Sequence, residues 1–215
     1  MSNYLHDNPD LNFYIDEWIR WSEMHPLVEV NSQDEDGLKS AEEAREFYRE
    51  VLEQIGEFAA TEVAPVSAQL DRLEPELIDG EVRSPPQMDA LFEQMAEMGL
   101  HGLCVPRELG GLNCPSLIYF ISGELMGRAD VSVMTHFAFH AGIAVTLMLY
   151  GIEEGSIDFD RETGSLKSVR FQEEIERIVE GKAWGSMDIT EPDAGSDMAA
   201  IRTKAWEEDG QWWVS

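Results

Sequence analysis

The chain has 215 residues, 43% of them hydrophobic, enough for one large domain or one and a half small ones, with a substantial core. Forty-three acidic against fifteen basic residues give a formal charge of −28, a field that repels nucleic acid and anionic membrane surfaces and argues against DNA or RNA partners. Two cysteines, Cys104 and Cys114, are too few for a disulfide framework and read as free thiols; with no basic, apolar leader in MSNYLHDNPDLNFYIDEWIR, the expectation is a cytoplasmic protein.

Residues 1–39 read as an arm with one helix, since Leu11, Tyr14, Ile15, Trp18 and Ile19 recur at helical spacing between Leu11 and His25 before the polar loop VNSQDEDG. A helical domain is expected over 40–182. It opens at Ser40, where SAEE supplies a capping box with Glu43, and Phe47, Val51, Ile55, Phe58 and Ala59 mark one apolar face until Pro65 interrupts it. The next helix starts at Pro85-Pro86 and runs through Met88, Leu91, Phe92, Met95 and Met98 to Gly99; helical spacing makes these methionines core residues. In the loop VPRELGGLN (105–113), the Gly-Gly pair points to backbone conformations closed to other residues.

Pro115 to Asp130 makes a further helix, and from Val131 to Ile152 no charged residue occurs. That stretch is long enough to span a bilayer, but Ser132, Thr135, His136, His140, Gly142 and Thr146 interrupt it, so a soluble helix buried on all sides is expected, with no membrane span. His136 and His140 share a helix face, yet nothing in the sequence completes a metal site around them, and an interior or pocket-lining role is preferred. The interval 153–168 reads as a surface loop, and VRFQEEIERIVEG as a helix ending at Gly181.

From 183 to 215 the pattern becomes that of a β domain just begun: AWGSMDI and IRTKAWEE are strand-compatible, and Asp209-Gly210 before QWWVS signals a hairpin. Between them lies TEPDAGSD, whose amides around Ala194, Gly195 and Ser196 and hydroxyls on Thr190 and Ser196 suit a phosphate or the polar edge of a heterocycle. A purely structural turn fits the same residues, and no dinucleotide or P-loop glycine pattern accompanies it.

TEPDAGSD, together with VPRELGGLN and GELMGRADVSV upstream, resembles the acyl-CoA dehydrogenase family over residues from about 40 to 215; the arm and the 153–168 interval are similar to its longer bacterial members. The resemblance implies a mainly α fold, an N-terminal helical domain followed by the first strands of an incomplete β domain, and FAD as cofactor. It implies that Met187, Asp188, Ile189, Thr190, Gly195 and Ser196 form the flavin-binding stretch, with main-chain groups at Met187, Ile189 and Thr190 on the ring's polar edge and Ser196 reaching phosphate or acyl-CoA. Asp188 and Asp193 depart from the family's usual uncharged small residues. The family reaction removes the α-proton of an acyl-CoA with a glutamate base while flavin takes the β-hydride, and passes electrons to electron-transfer flavoprotein or another acceptor. That glutamate is expected beyond Ser215, so these residues are expected to hold no catalytic base and to be inactive alone, as part of a parent that is a homo-oligomer. A flavin oxidase or monooxygenase of the same fold, and a non-catalytic truncated interaction module, are the alternatives.

Overall fold

The computed structural model describes residues 2–32, 36–160 and 163–215; residues 33–35 of the VNSQDEDG loop and 161–162 of the acidic interval lie outside the described residues. Contacts divide the chain into a unit over Met1–Gly185 and a small one over Ser186–Ser215. The first is helical and contains the core. The second is a turn and a hairpin.

In the first unit the N-terminal segment is not one helix. Helix α1 (Pro9–Phe13), capped by the Asn8 side chain, gives way to a π turn over Tyr14–Trp18, the chain becomes extended at Ile19, and α2 follows (Trp21–Val28). The break lets Leu11, Ile15 and Ile19 go inward and swings Trp21 against Tyr48, where its Nε1 donates to the Ile15 carbonyl at 2.8 Å and the rings stack at 6.0 Å. Tyr14 and Trp18, read from their spacing as part of the buried face, are 44% and 59% exposed. The segment enters the bundle by crossing α3 at Gly56: a Cβ there would lie 2.5 Å from Asn3 Oδ1, and the Tyr4 amide donates to the Gly56 carbonyl at 3.0 Å. Any larger residue at that crossing would push the two segments apart.

Helix α3 (Ala41–Phe58) starts as the capping box requires, with Ser40 Oγ accepting from the Glu43 amide at 3.1 Å; the Glu43 carboxylate returns to the amide of Lys39, at 2.7 Å. Its inward face is Ala44, Tyr48, Val51, Leu52, Ile55, Gly56 and Phe58. Pro65 does not stop the helix. A π turn over Ala59–Val63 widens the backbone just before it, and α4 (Ala64–Leu70) continues with Pro65 in its first turn, where no amide donor is needed. An exposed hairpin, β1 (Glu76–Ile78) with β2 (Glu81–Arg83), leads to α5 (Pro86–Glu97), which buries Leu91, Phe92 and Met95, with Met88 and Met98 packed at the edge of the same core.

Helices α6 (Ser116–Ala129) and α7 (Val131–Glu153) meet at Asp130, which ends one and caps the other: its Oδ1 accepts from the amides of Ser132 and Val133, and its Oδ2 from Ser67 Oγ on α4 at 2.6 Å. By length and composition α7 could cross a membrane. In the fold it packs on α6 and on α8 (Gln172–Val179), but on one side only. Val133, Phe137, His140, Ala141 and Ala144 are buried, whereas Val131, Phe139, Leu149, Tyr150 and Ile152 are 41–66% exposed, so the helix expected to be enclosed on every side has an open apolar face. An uncharged sequence reports what a helix tolerates next to it, not what covers it. The 153–168 interval folds back as a short hairpin, β3 (Asp158–Phe159) with β4 (Leu166–Ser168), before α8.

In the second unit the hairpin of β5 (Ala205–Glu208) and β6 (Gln211–Val214) forms at Asp209-Gly210, both at positive φ (53° and 75°), as a two-residue hairpin turn demands. Trp206 pairs across it with Trp213. Among the described residues none forms a strand ladder with 183–189, and that segment is not a strand; a strand needs a ladder partner, which strand-compatible composition does not supply.

Candidate functional site

The turn over 187–196 is built by its own backbone. Glu191 and Ala194 exchange amide-to-carbonyl hydrogen bonds of 3.0 and 3.1 Å around Pro192-Asp193, closing a tight loop. The Glu191 carboxylate fastens this loop to the chain before the hairpin, accepting from the amides of Arg202 (2.9 Å) and Thr203 (2.8 Å) and from the Thr203 hydroxyl. These donors hold its carboxyl below the usual carboxylate range, the Thr203 side chain first among them. Glu191 is therefore a clip, already engaged on both oxygens. Glu124 sits on the surface of α6 and accepts from Asn8 Nδ2 at 3.3 Å.

The structure places the six expected site residues on one short stretch with their polar groups outward. Met187, Asp188, Thr190, Gly195 and Ser196 are exposed and Ile189 is half-buried. The Ala194 amide is consumed inside the turn, but among the described residues no hydrogen bond uses the amides of Gly195 and Ser196, the hydroxyls of Thr190 and Ser196, or the main-chain groups of Met187, Ile189 and Thr190. Asp188 takes a 2.8 Å hydrogen bond from Ser186 Oγ. A row of open peptide groups beside two hydroxyls is a donor and acceptor set that suits a planar heterocycle edge and an anionic ester.

Sequence reasoning missed two buried polar assemblies of the first unit. In one, Glu29, whose side chain is 1% exposed, accepts a bidentate pair from Arg107 (2.8 and 2.9 Å), Tyr48 Oη at 2.6 Å and, more weakly, Asn113 Nδ2 at 3.4 Å. Burial alone would raise the Glu29 carboxyl; the Arg107 and Tyr48 hydrogen bonds outweigh it and hold it below the ordinary range. In the other, His101 and His140, each 1% exposed, lie with Trp184 in one aromatic pile. VPRELGGLN signalled the loop that carries Arg107, but a partner 78 residues away leaves no local pattern.

The family model for the acyl-CoA dehydrogenase N-terminal domain matches residues 42–156, from the start of α3 to just past the end of α7. The chain belongs to the acyl-CoA dehydrogenase family. Among its relatives, the 3-methylmercaptopropionyl-CoA dehydrogenase of Ruegeria pomeroyi is 27% identical over 207 residues, 96% of this chain and 31% of that protein, and a match of that extent takes in the 187–196 turn. The mitochondrial isovaleryl-CoA dehydrogenase of Arabidopsis thaliana is 25% identical over 158 residues, 74% of this chain and 33% of the relative. The chain spans about a third of the length of these dehydrogenases. A solved chain from work on the electron transferring flavoprotein of Acidaminococcus fermentans shares the fold, with a TM-score of 0.58 and 22% identity over 78% of this chain and 37% of that one. The mainly helical architecture and the family resemblance read from TEPDAGSD and VPRELGGLN agree with these findings.

Proposed function

We propose that this chain supplies the helical entry domain and the first part of the flavin wall of an FAD-dependent acyl-CoA dehydrogenase that desaturates an acyl-CoA thioester in the cytoplasm and hands electrons to electron-transfer flavoprotein or a similar acceptor. The observation that carries the reading is the open donor row of 187–196, on a chain of this family. The bound flavin would supply hydride acceptance; the residues present would hold and tune it. Main-chain groups at Met187, Ile189 and Thr190 would meet the polar edge of the ring, the Thr190 hydroxyl would add a donor, and the Gly195 and Ser196 amides with the Ser196 hydroxyl would take phosphate or acyl-CoA oxygens. Fixed donors of this kind favour charge where it develops, without mobile side chains that must reorganise. Because Glu191 is bound by Arg202 and Thr203, it is not proposed as the base that removes the α-proton. The 215 residues alone are proposed to be inactive.

Flavin fluorescence and absorbance titrations of the chain test this. Saturable perturbation of the FAD spectrum, lost in a Thr190→Val/Ser196→Ala variant of unchanged circular dichroism, is the expected result. An FAD spectrum unmoved by the folded chain overturns the flavin-wall reading. Bleaching of FAD on adding a short acyl-CoA overturns the proposed inactivity.

A further inference from the structure

Trp184, next to the last residue of the first unit, sits among four rings. Its ring centroid is 4.1 Å from that of His140, 5.8 Å from His101, 5.7 Å from His136 and 4.8 Å from Phe92, and His101 and His140 are themselves 4.2 Å apart. The two interior imidazoles are 1% exposed, while Trp184 is 48% exposed and closes over them from outside. The segment that carries it is pressed against the bundle: a Cβ on Gly181 would lie 3.0 Å from Ala96 Cβ and 3.3 Å from His101 Cδ2, and one on Gly185 would lie 2.4 Å from Ile143 Cδ1.

The hydrogen bonds of the pair define what it can tolerate. His140 Nε2 lies 2.9 Å from the Ile178 carbonyl, an acceptor only, so this nitrogen carries the proton and Nδ1 holds the lone pair. Among the described residues Nδ1 of His140 makes no hydrogen bond, and neither nitrogen of His101 makes one of good geometry, although the Phe92 carbonyl lies near that ring and pulls toward its protonated form. A second proton on His140 would therefore place a cation in the interior with no acceptor, and one on His101 a cation with only the Phe92 carbonyl near it, each about 4 Å from the neighbour ring. Contact with the Trp184 face returns only part of that cost. Burial accordingly lowers His101 to about 4, with the His140 ring adding to the effect, and lowers His140, against the pull of the Ile178 carbonyl.

We propose that the His101–His140 pair is a proton-operated latch on Trp184, which holds 181–185 against the bundle at neutral pH and releases it in mild acid, where both rings gain protons by becoming hydrated. Acidic side chains stand where the released rings would meet solvent, and none of them acts on either buried ring in the closed form. Asp89, Glu93 and Glu97 of α5 and Glu180 line the recess beside Trp184, together with His136 of α7; Val82 and Ser84 from the β1–β2 hairpin are uncharged, and Glu180 pairs with Lys182 at 2.8 Å. His136, at the exposed rim and against Phe92 and Trp184, adds a further ring whose protonation weakens the pile. The latch would thus release the chain just ahead of the proposed flavin wall before the core yields.

Hydrogen exchange of the full chain, followed by mass spectrometry and corrected for the intrinsic pH dependence of exchange, tests the latch between pH 7 and 4. Protection at 181–185 should fall severalfold across that range while α3 and α6 keep theirs. In His101→Phe, which keeps an aromatic ring and removes one titrating group, the release midpoint should drop by about half a pH unit or more and the transition should become shallower. An unchanged midpoint in the folded variant, or loss of 181–185 only together with α3 and α6, overturns the proposal. Should His101→Phe not fold, NMR titration of the wild-type rings decides: His101 titrating near 6.5 with 181–185 still protected overturns it, and protonation of His101 in step with loss of that protection supports it.

Discussion

Replacing Arg107 by alanine isolates what holds the N-terminal segment to the 105–113 loop. The Glu29 carboxylate is 1% exposed and loses both strong charge-assisted bonds, 2.8 and 2.9 Å, keeping the Tyr48 hydroxyl at 2.6 Å and long contacts to Asn113 and the Leu38 amide, each 3.4 Å. Breaking a buried pair from one side costs about 3–5 kcal/mol because a charge is left buried. Arg107 is itself 24% exposed and Glu29 retains a short neutral donor, which places the expected loss near the lower end, about 3 kcal/mol. For a chain of this size that is a fall of roughly 6–12 °C in Tm.

The pH dependence makes the reasoning sharper than the magnitude. In the wild type the Glu29 carboxyl is depressed, so its contribution is present above about pH 4.5 and is lost as the pH falls through its folded value. Without Arg107, burial becomes the dominant influence and the carboxyl rises above its unfolded value; the folded variant then binds the proton more readily than the unfolded chain does. The deficit of Arg107→Ala relative to wild type should therefore shrink between pH 7 and about 5. Urea unfolding of both proteins at several pH values checks this. A loss under about 1 kcal/mol, or one that is constant with pH, refutes the claim that Glu29 is held ionised by Arg107.

Two other substitutions probe the frame. Gly111→Ala would set a Cβ 2.0 Å from the Val105 carbonyl oxygen, a backbone group that cannot swing aside, and should cost more than about 3 kcal/mol or abolish folding; a midpoint in urea near wild type would show that the loop yields. Asp130→Ala removes the cap of α7 and the 2.6 Å bond from Ser67 together, for an expected loss of about 2–3 kcal/mol, with Asp130→Asn intermediate; equal stability of the three proteins by thermal unfolding would contradict the cap assignment.

Local chemistry was legible and long-range pairing was not. Ser40 with Glu43, Pro86 opening α5 and Asp209-Gly210 in the last hairpin each act within a few residues, so spacing suffices to find them. Pro65 misleads as a stop signal because a five-residue π turn absorbs it, and the Leu11–His25 periodicity misleads because the chain breaks at Ile19 to bring Trp21 onto Tyr48. Neither depends on residue type alone. Each is decided by which distant face offers the larger burial, and periodicity contains no term for that.

The same limit governs the site. TEPDAGSD forms a tight turn, but whether its donors are free depends on where Glu191 goes. Had its carboxylate bent back onto the Gly195 and Ser196 amides, the turn would have satisfied itself and presented no site. It reaches instead to Arg202 and Thr203, so the residue that looks most reactive in the motif is the one that closes the turn, and the small residues after it are left open. Glu191→Gln should on this argument weaken the clip, since a carboxamide keeps one accepting oxygen and turns an NH2 toward the amide the other oxygen served, and loosen 191–203 in hydrogen exchange while leaving the helical unit unchanged. Exchange over 191–203 identical to wild type would mean that the carboxylate does not hold the turn, and that the open amides at 195–196 have another cause.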